Sequence, residues 1–218
     1  MTDTQPVRIP AGSALLDGDL SVPAGAGGLV VFAHGSGSSR HSPRNQEVAA
    51  DLQRAGLATL LFDLLTTDEE RVDQHTRHLR FDIPLLAQRL VDVTAWAQKT
   101  EVTNGLSIGY FGASTGAAAA LIAAARMGEG VAAVVSRGGR PDLAGTDLAG
   151  VRCPVLLIVG GADGQVLALN RRAAESLADV TVEVVEGAGH LFSEAGALEQ
   201  VSALAAGFMT RHLASGST

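Results

Sequence analysis

Ser114, the first residue that could do chemistry, lies in the pentapeptide "GASTG" (112–116). An apolar run, "IGYFG" (108–112), leads into it and an alanine-rich run, "TGAAAALIAAA" (115–125), follows. A G-x-S-x-G pattern between a strand and a helix presents a nucleophilic serine on a sharp turn. Such a turn strains the serine backbone and leaves no room for side chains on its two flanking glycines. Ser114 is therefore predicted to be a nucleophile; the alternative is a glycine-rich turn that serves structure alone.

A serine hydroxyl is a weak nucleophile near neutral pH, so it needs a base that is itself oriented by an acid. His190, in the glycine-flanked segment "VVEGAGHLF", follows the last predicted strand, and Asp163, in "VLLIVGGADGQ", follows the strand before it. The order serine, aspartate, histidine is the one that accompanies this motif. We predict His190 as the general base and Asp163 as the acid that orients it. Asp142 and Asp147 are alternative acids, and a turn-forming role is the alternative for Asp163.

Negative charge that develops on an attacked carbonyl oxygen needs fixed hydrogen-bond donors. The backbone N–H of Thr115, at the start of the helix after the serine, is predicted to supply one. The loop "HGSGSS" (34–39), after the first parallel strand, is predicted to supply the other, from Ser36 in preference to Gly37. His34 in this loop is expected to brace it by hydrogen bonds rather than to transfer protons.

Three arginines near the predicted site could bind an acidic substrate. Arg137 and Arg140, in "VVSRGGRPDL", follow a predicted strand, and Arg80 lies in the long connection after "LLFDLL" at the same sheet edge. A guanidinium binds a carboxylate through two parallel hydrogen bonds, so all three are candidate substrate-binding residues. The alternative is an ion pair with an acidic residue such as Asp82 or Asp142.

Short apolar runs must provide the strands that position these side chains. They are "LVVFA" (29–33), "ATLLF" (58–62), "IGYFG" (108–112), "VAAVV" (131–135), "VLLIV" (155–159) and "VEVV" (182–185). Runs without polar alternation are typical of strands covered on both faces. Because helical patterns alternate with them, the sequence predicts an α/β fold with a mostly parallel sheet and helices on both faces. Ligands of such sheets gather beyond the carboxyl ends of the strands, where Ser114, Asp163 and His190 are all expected.

Two helices carry clear boundary signals. Ser42, followed by proline, predicts a helix start, and Gly56 predicts its end. Apolar residues over 79–97 recur at spacings of three and four, which indicates an amphipathic helix. Pro84 places the true start of that helix near Asp82.

The remaining segments define the limits of the fold. The N-terminal "RIPAGSALLDGDLSVP" (8–23) is broken by glycine and proline, which predicts a hairpin at the sheet edge. Residues 138–154, between two predicted strands, are too few for a helical lid, and a last helix is predicted over 194–213. We therefore predict a single domain over 1–218 without a lid.

Composition argues against several classes of partner. The chain has 218 residues, a net charge of −7 and a pI near 5.3, so nucleic acid is not an expected partner. Its start, "MTDTQPVRIPAG", has no basic segment leading into an apolar one. The longest apolar segment, 117–125, is far shorter than the roughly 20 residues of a membrane span. A cytoplasmic protein without membrane association is expected, and no oligomeric state is predicted.

Neither a cofactor nor a metal is predicted. The segment "HTRH" (75–78) offers two histidines without a third ligand nearby, whereas zinc takes three or four. The single cysteine, Cys153, rules out an internal disulfide and is expected to be a buried, inert thiol at a strand entrance.

A family resemblance is carried by five segments together: "FAHGSGSS", "LLFDLL", "GYFGASTG", "LLIVGGAD" and "GAGHLF". With them the chain resembles the α/β-hydrolase superfamily, and within it the small, lidless dienelactone hydrolase-like group. The resemblance covers nearly the whole chain and implies hydrolysis of a small-molecule ester or lactone by a triad of Ser114, Asp163 and His190. Dienelactone hydrolases proper use a cysteine nucleophile where this chain has serine, so dienelactone itself is not the expected substrate. A thioesterase, amidase or peptidase with the same triad, and a non-catalytic binding module, are the alternatives.

Overall fold

An eight-stranded sheet runs through the computed structural model, which describes residues 3–213. The strands are β1 (Thr4–Ala11), β2 (Ala14–Ser21), β3 (Leu29–Ala33), β4 (Ala58–Phe62), β5 (Ile108–Ala113), β6 (Ala133–Arg137), β7 (Val155–Gly160) and β8 (Val180–Val185). Their spatial order is β1-β2-β4-β3-β5-β6-β7-β8. Strands β3 to β8 pair in parallel, whereas β1 and β2 form an antiparallel hairpin that joins the sheet against β4. The predicted α/β fold, mostly parallel sheet and edge hairpin are confirmed.

Helices cover both faces of this sheet, as the unbroken apolar strands require. They are α1 (Pro43–Arg54), α2 (Thr67–Thr76), α3 (Ile83–Ala97), α4 (Thr115–Met127), α5 (Gly164–Ala174) and α6 (Ala197–Leu213). Helices α1 and α6 pack into the apolar core of one face, and α3, α4 and α5 into that of the other. Between β6 and β7 the chain forms a short 3-10 segment, Pro141–Gly150, and no lid domain interrupts the fold.

The predicted helix boundaries depend on local hydrogen bonds. Ser42 Oγ accepts a bond from the backbone N–H of Asn45 at the start of α1, and Gly56 adopts a φ of +83° just after that helix ends. Asp82 caps α3, where its carboxylate accepts a bond of 3.1 Å from the N–H of Leu85. Both predicted starts are confirmed, while Leu79 lies in a 3-10 turn ahead of α3 rather than inside it.

Helix α2 was not predicted, because it occupies what the sequence indicated only as a long connection. Within α2 only Asp73 is buried, so the helix lacks the apolar stripe on which periodicity depends. The start of α2 does have a sequence signal, because Thr66 and Glu69 form a capping box in which each side chain accepts a bond from the backbone N–H of the other residue.

Strand β6 lies two residues further along the chain than predicted. The apolar run indicated 131–135, but pairing with β5 continues as far as the register Ala113↔Arg137. Arg137 is therefore the last residue of a buried strand and not part of the loop after it. This difference matters for the site described below.

Two further predictions concern burial. Cys153 is buried, and burial raises the pKa of its thiol to about 11, so the expectation of a buried thiol is confirmed. No helix among residues 3–213 combines the length and the apolar character needed to cross a bilayer.

Candidate active site

Ser114 occupies the turn between β5 and α4 in a strained backbone conformation, with φ +50° and ψ −120°. Non-glycine residues rarely adopt a positive φ, and such outliers cluster at functional sites. The flanking glycines are required for space. A Cβ on Gly112 would lie 2.5 Å from Cα of Ala117, and a Cβ on Gly116 would lie 2.2 Å from the carbonyl oxygen of Ala33. The turn thus fits closely against α4 and β3, as the sequence indicated.

Asp163 and His190 are joined by a hydrogen bond of 2.8 Å between Oδ2 and Nδ1. Asp163 follows β7 and caps α5 with its other oxygen, so its carboxylate is fixed from two sides. A carboxylate only accepts hydrogen bonds, so Nδ1 of His190 carries the proton and Nε2 is left as an acceptor. The side chain of Asp163 is 17% exposed and that of His190 is 40% exposed, which leaves the imidazole accessible from the surface.

Glycines at two strand ends allow the His190 loop to approach the sheet. A Cβ on Gly160, the last residue of β7, would lie 2.3 Å from the carbonyl oxygen of Ala188. Gly138, just after β6, has a φ of +51°, and a Cβ there would lie 3.1 Å from the carbonyl oxygen of His190. Side chains at either position would displace the loop that carries the imidazole.

Ser114 and His190 line the same cavity, which encloses about 250 Å³ and is called the serine cavity below. Of the three candidate acids, Asp163 contacts His190, whereas Asp142 pairs with an arginine and Asp147 is exposed in the 3-10 segment. Within residues 3–213 no hydrogen bond joins Ser114 Oγ to His190. Catalytic hydrogen bonds are often long in structures without substrate, so a shared cavity is the relevant geometry here.

The amides around Ser114 differ in their availability. Thr115 is the first residue of α4, so its N–H has no acceptor within the helix. The amide of Ser36 already donates to Oγ1 of Thr115 at 2.9 Å, and that of Ser38 donates to the carbonyl of Gly35 at 3.1 Å. The amide of Gly37 has no partner among the described residues. Ser36 could therefore serve an oxyanion only by sharing or releasing its present bond, a constraint that the sequence did not reveal.

His34 braces the loop that precedes these amides, as predicted. Its Nε2 accepts a bond of 3.1 Å from the N–H of Leu64, and its Nδ1 lies 3.0 Å from the carbonyl oxygen of Gly35. Because Nε2 accepts, Nδ1 carries the proton and donates. Burial lowers the pKa of His34, which keeps the imidazole neutral in this role.

Only one of the three candidate arginines lines the serine cavity. Arg140 pairs through two parallel bonds, of 2.8 and 2.7 Å, with Asp142, and Arg80 pairs with the fully buried Asp73. The ion-pair alternative therefore describes Arg140 and Arg80, although the partner of Arg80 is not one of the acids named in advance. Arg137 lines the serine cavity and pairs with no carboxylate among residues 3–213.

Sequence reasoning missed two residues of this cavity, Arg44 and Asn45 in the first turn of α1. Nη2 of Arg137 lies 3.3 Å from Oδ1 of Asn45. The signal was present in the Ser42 cap, which starts α1 shortly after the loop 34–39. First-turn side chains of that helix were therefore close to the predicted site.

Comparison with known proteins gives the same fold. Residues 26–206 match the family model described as "Alpha/beta hydrolase domain". A crystal structure of a dienelactone hydrolase from Anabaena variabilis is 54% identical, with a TM-score of 0.96, and the match covers 97% of this chain and 99% of that one. Est1E from Butyrivibrio proteoclasticus, at 18% identity and a TM-score of 0.77 over 96% of this chain and 99% of that one, shares the fold.

Curated relatives in Mycobacterium tuberculosis are longer than this chain. They are 56% identical over 208 residues and carry the name of a phosphoribosyl transferase. The match covers 95% of this chain and 46% of theirs, so the chain spans about half the length of these relatives. From the family model and the Anabaena relative together, the chain belongs to the α/β-hydrolase family and to its dienelactone hydrolase-like group.

Proposed function

We propose that this protein is a serine hydrolase that cleaves carboxylic esters or lactones through an acyl-enzyme on Ser114. The observation that carries the proposal is the 2.8 Å bond from His190 to Asp163, on an imidazole that shares one cavity with a serine on a strained turn. In this proposal Ser114 is the nucleophile, His190 the base and Asp163 the orienting acid, and the three residues follow three different strands. The dienelactone hydrolase name of the Anabaena relative supports the same reaction class.

In the first half of the reaction, Ser114 Oγ attacks the ester carbonyl carbon and its proton passes to Nε2 of His190. The resulting tetrahedral intermediate holds the negative charge on the former carbonyl oxygen. Asp163 stabilises the imidazolium through Nδ1. When the intermediate collapses, the bond to the leaving oxygen breaks, that oxygen takes the proton from His190, and an acyl group remains on Ser114.

In the second half, water attacks the acyl carbon and gives its proton to His190. Collapse of this second intermediate breaks the bond to Oγ, which regains the proton, and the carboxylic acid leaves. With a lactone the alcohol and acid are parts of one molecule, so the product is a hydroxy acid. The exposed edge of the imidazole gives water access to this step.

Thr115 N–H is one donor for the oxyanion in this proposal, because it lies next to the nucleophile and has no helical acceptor. The second donor comes from the loop 34–39. The sequence favoured Ser36 for this role. Because the amide of Ser36 is bonded to Thr115 Oγ1, the amide of Gly37 is a second candidate for this donor.

Space for the substrate is available beside that loop. A second cavity of about 630 Å³ shares Ser38 and Ser42 with the serine cavity. Its lining includes Asp63 and Glu70, which pair with Arg40 and Arg80 respectively. It can accommodate the part of a small or medium ester that extends away from the carbonyl. Cleavage of thioesters and amides would use the same three side chains. Measuring kcat/KM for an ester, a thioester and an amide of the same acid shows which bond the protein prefers. The transferase name of the M. tuberculosis relatives is not carried over, because this chain covers 46% of those proteins.

The test is hydrolysis of p-nitrophenyl butyrate by Ser114→Ala, with Ser176→Ala, at an exposed serine after α5, as the matched control. We expect kcat to fall by up to about 10⁶-fold in the first variant and to stay unchanged in the second. A fluorophosphonate probe should label the wild-type protein and Ser176→Ala but not Ser114→Ala. A folded Ser114→Ala that retains turnover, or a wild-type protein that neither turns over nor labels, would refute the proposal.

A further inference from the structure

Arg137 is a buried cation that has no counter-ion among residues 3–213. It is 7% exposed, its Nε is buried without a partner, and its Nη2 has only the neutral amide oxygen of Asn45 at 3.3 Å. Burying a charge is costly unless an opposite charge compensates it. Arg137 is held in place as the last residue of β6, paired in register with Ala113, the neighbour of Ser114. Its side chain and Ser114, the proposed nucleophile, line the same cavity.

A second arginine, Arg44, lines the same cavity. Burial and the charge of Arg44 together lower the pKa of Arg137 to about 10, so Arg137 still carries its charge near neutral pH. Arg44 is half-buried, and its Nε is also buried without a partner. Two like charges in one cavity repel each other, and a ligand that neutralises both would remove this repulsion.

Among the described residues, no carboxylate forms an ion pair with Arg44 or Arg137. Glu47, Glu194 and Glu199 border a neighbouring cavity that Arg44 also lines, but none forms an ion pair with it. No acidic residue lines the serine cavity. The carboxylate of Asp163 is engaged with the imidazole of His190.

The N-terminus of α1 adds to the positive potential. Arg44 and Asn45 lie in its first turn, which contains no acidic residue, and both line the serine cavity. The N–H of Asn45 is bonded to Ser42 Oγ, but the dipole of this twelve-residue helix still gives its amino end a partial positive charge, which favours anions. The side chains of Arg44 and Arg137 and the first turn of α1 therefore border the cavity that Ser114 also lines.

We propose that Arg44, Arg137 and the amino end of α1 bind a phosphate group of the substrate, so that this hydrolase acts on phosphorylated esters or lactones. The inference rests on the proposed function and narrows its substrate class. A carboxylate, with one negative charge, would neutralise only one of the two guanidinium groups. A phosphate monoester carries nearly two charges and three acceptor oxygens, which match both groups.

The experiment compares p-nitrophenyl esters of three acids of similar size. These are butyric acid, which is neutral in the ester; succinic acid, whose half-ester keeps one carboxylate; and 3-phosphonopropionic acid, whose phosphonate approaches two charges. We expect wild-type kcat/KM to be about 10- to 100-fold higher for the phosphonate ester than for the butyrate, with the succinate half-ester between them.

Two variants and one control locate the effect. Arg137→Met and Arg44→Gln should each reduce the preference for the phosphonate ester about tenfold or more. Arg8→Gln also removes one positive charge, but Arg8 is exposed on the outermost strand and pairs with Asp17, so the preference should not change. Arg44 is half-buried, so its variant tests the idea even if Arg137→Met does not fold.

Inhibition by methylphosphonate gives an independent readout on hydrolysis of the neutral butyrate ester. Competitive inhibition of the wild-type protein that weakens in Arg44→Gln and persists in Arg8→Gln supports the inference. Equal rates on all three esters, or a preference for the succinate half-ester, would overturn it while Ser114-dependent butyrate hydrolysis left the proposed function standing. Hydrolysis that does not depend on Ser114 would instead defeat the proposed function.

Discussion

Two substitutions of Ser114, to alanine and to glycine, distinguish the backbone strain at this position from the role of its hydroxyl in hydrolysis. Ser114→Ala deletes the hydroxyl but keeps the Cβ that makes φ +50° and ψ −120° unfavourable. Ser114→Gly deletes both, and glycine adopts positive φ without steric cost. Both variants should lose ester hydrolysis, because neither has the proposed nucleophile. They should differ in stability, with glycine the more stable residue at this one position.

The expected difference follows from two opposing terms. A non-glycine residue in such a conformation stores about 1–3 kcal/mol of strain. Glycine costs about 0.5–1 kcal/mol relative to alanine because it loses more backbone freedom on folding. The free energy of unfolding of Ser114→Gly should therefore exceed that of Ser114→Ala by about 1 kcal/mol, the middle of the range that these two terms allow. For a domain of this size, that difference raises Tm by about 2–4 °C.

The assay is urea and thermal unfolding of both variants, with Gly164→Ala as the opposite control. Gly164 starts α5 without a positive φ, and no atom lies within 4 Å of a Cβ built there. Alanine should be the more stable residue at 164, by about 0.4–1 kcal/mol. If Ser114→Gly is no more stable than Ser114→Ala while Gly164→Ala shows its gain, the turn is not strained and the argument from its conformation is wrong.

Two further predictions concern the same region. Gly116→Ala would place a Cβ 2.2 Å from the carbonyl oxygen of Ala33 and 2.5 Å from that of His34, so the backbone must move. We expect the free energy of unfolding, measured in urea, to fall by about 1–3 kcal/mol. Unchanged stability would contradict the close fit. Burial lowers the pKa of His34 below its ordinary 6.5, so the unfolded chain binds this proton first and the free energy of unfolding should fall as pH drops below about 6.5. The urea midpoint of the wild-type protein should fall between pH 8 and pH 5.5, and it should fall less in His34→Gln. If both proteins show the same pH dependence, His34 does not cause it.

Much of the fold and the candidate site could be read from neighbours along the chain. Gly112 and Gly116 indicate the tight turn around Ser114, and Ser42 and Asp82 indicate helix starts. These signals can be read from the sequence because each residue affects the backbone only a few positions away. Unbroken apolar runs indicate covered parallel strands. Parallel strands bring their carboxyl ends to one edge, and this rule alone placed the residues after β5, β7 and β8 near one another.

The spacing of apolar residues did not predict the helix that buries almost no side chain. Helix α2 contributes only Asp73 to the interior, so no apolar stripe marks it, and only its capping box was available as a signal. The end of β6 was misjudged because strand length follows from pairing with β5 and β7 rather than from the apolar run itself. Arg137 consequently became a buried strand residue.

What the sequence alone determined, then, was the fold class, most of the strands and helices, and the placement of Ser114, Asp163 and His190 after neighbouring strand ends, since local sterics and hydrophobic burial decide these. Only the tertiary structure decided how polar groups pair within that set. It joined Asp163 rather than Asp142 to His190, engaged the amide of Ser36 with Thr115 across 79 residues, and left Arg137 facing Asn45 across 92. Such pairings require polar atoms that are remote in the chain to come within about 3 Å of each other, and local sequence patterns do not encode these distances.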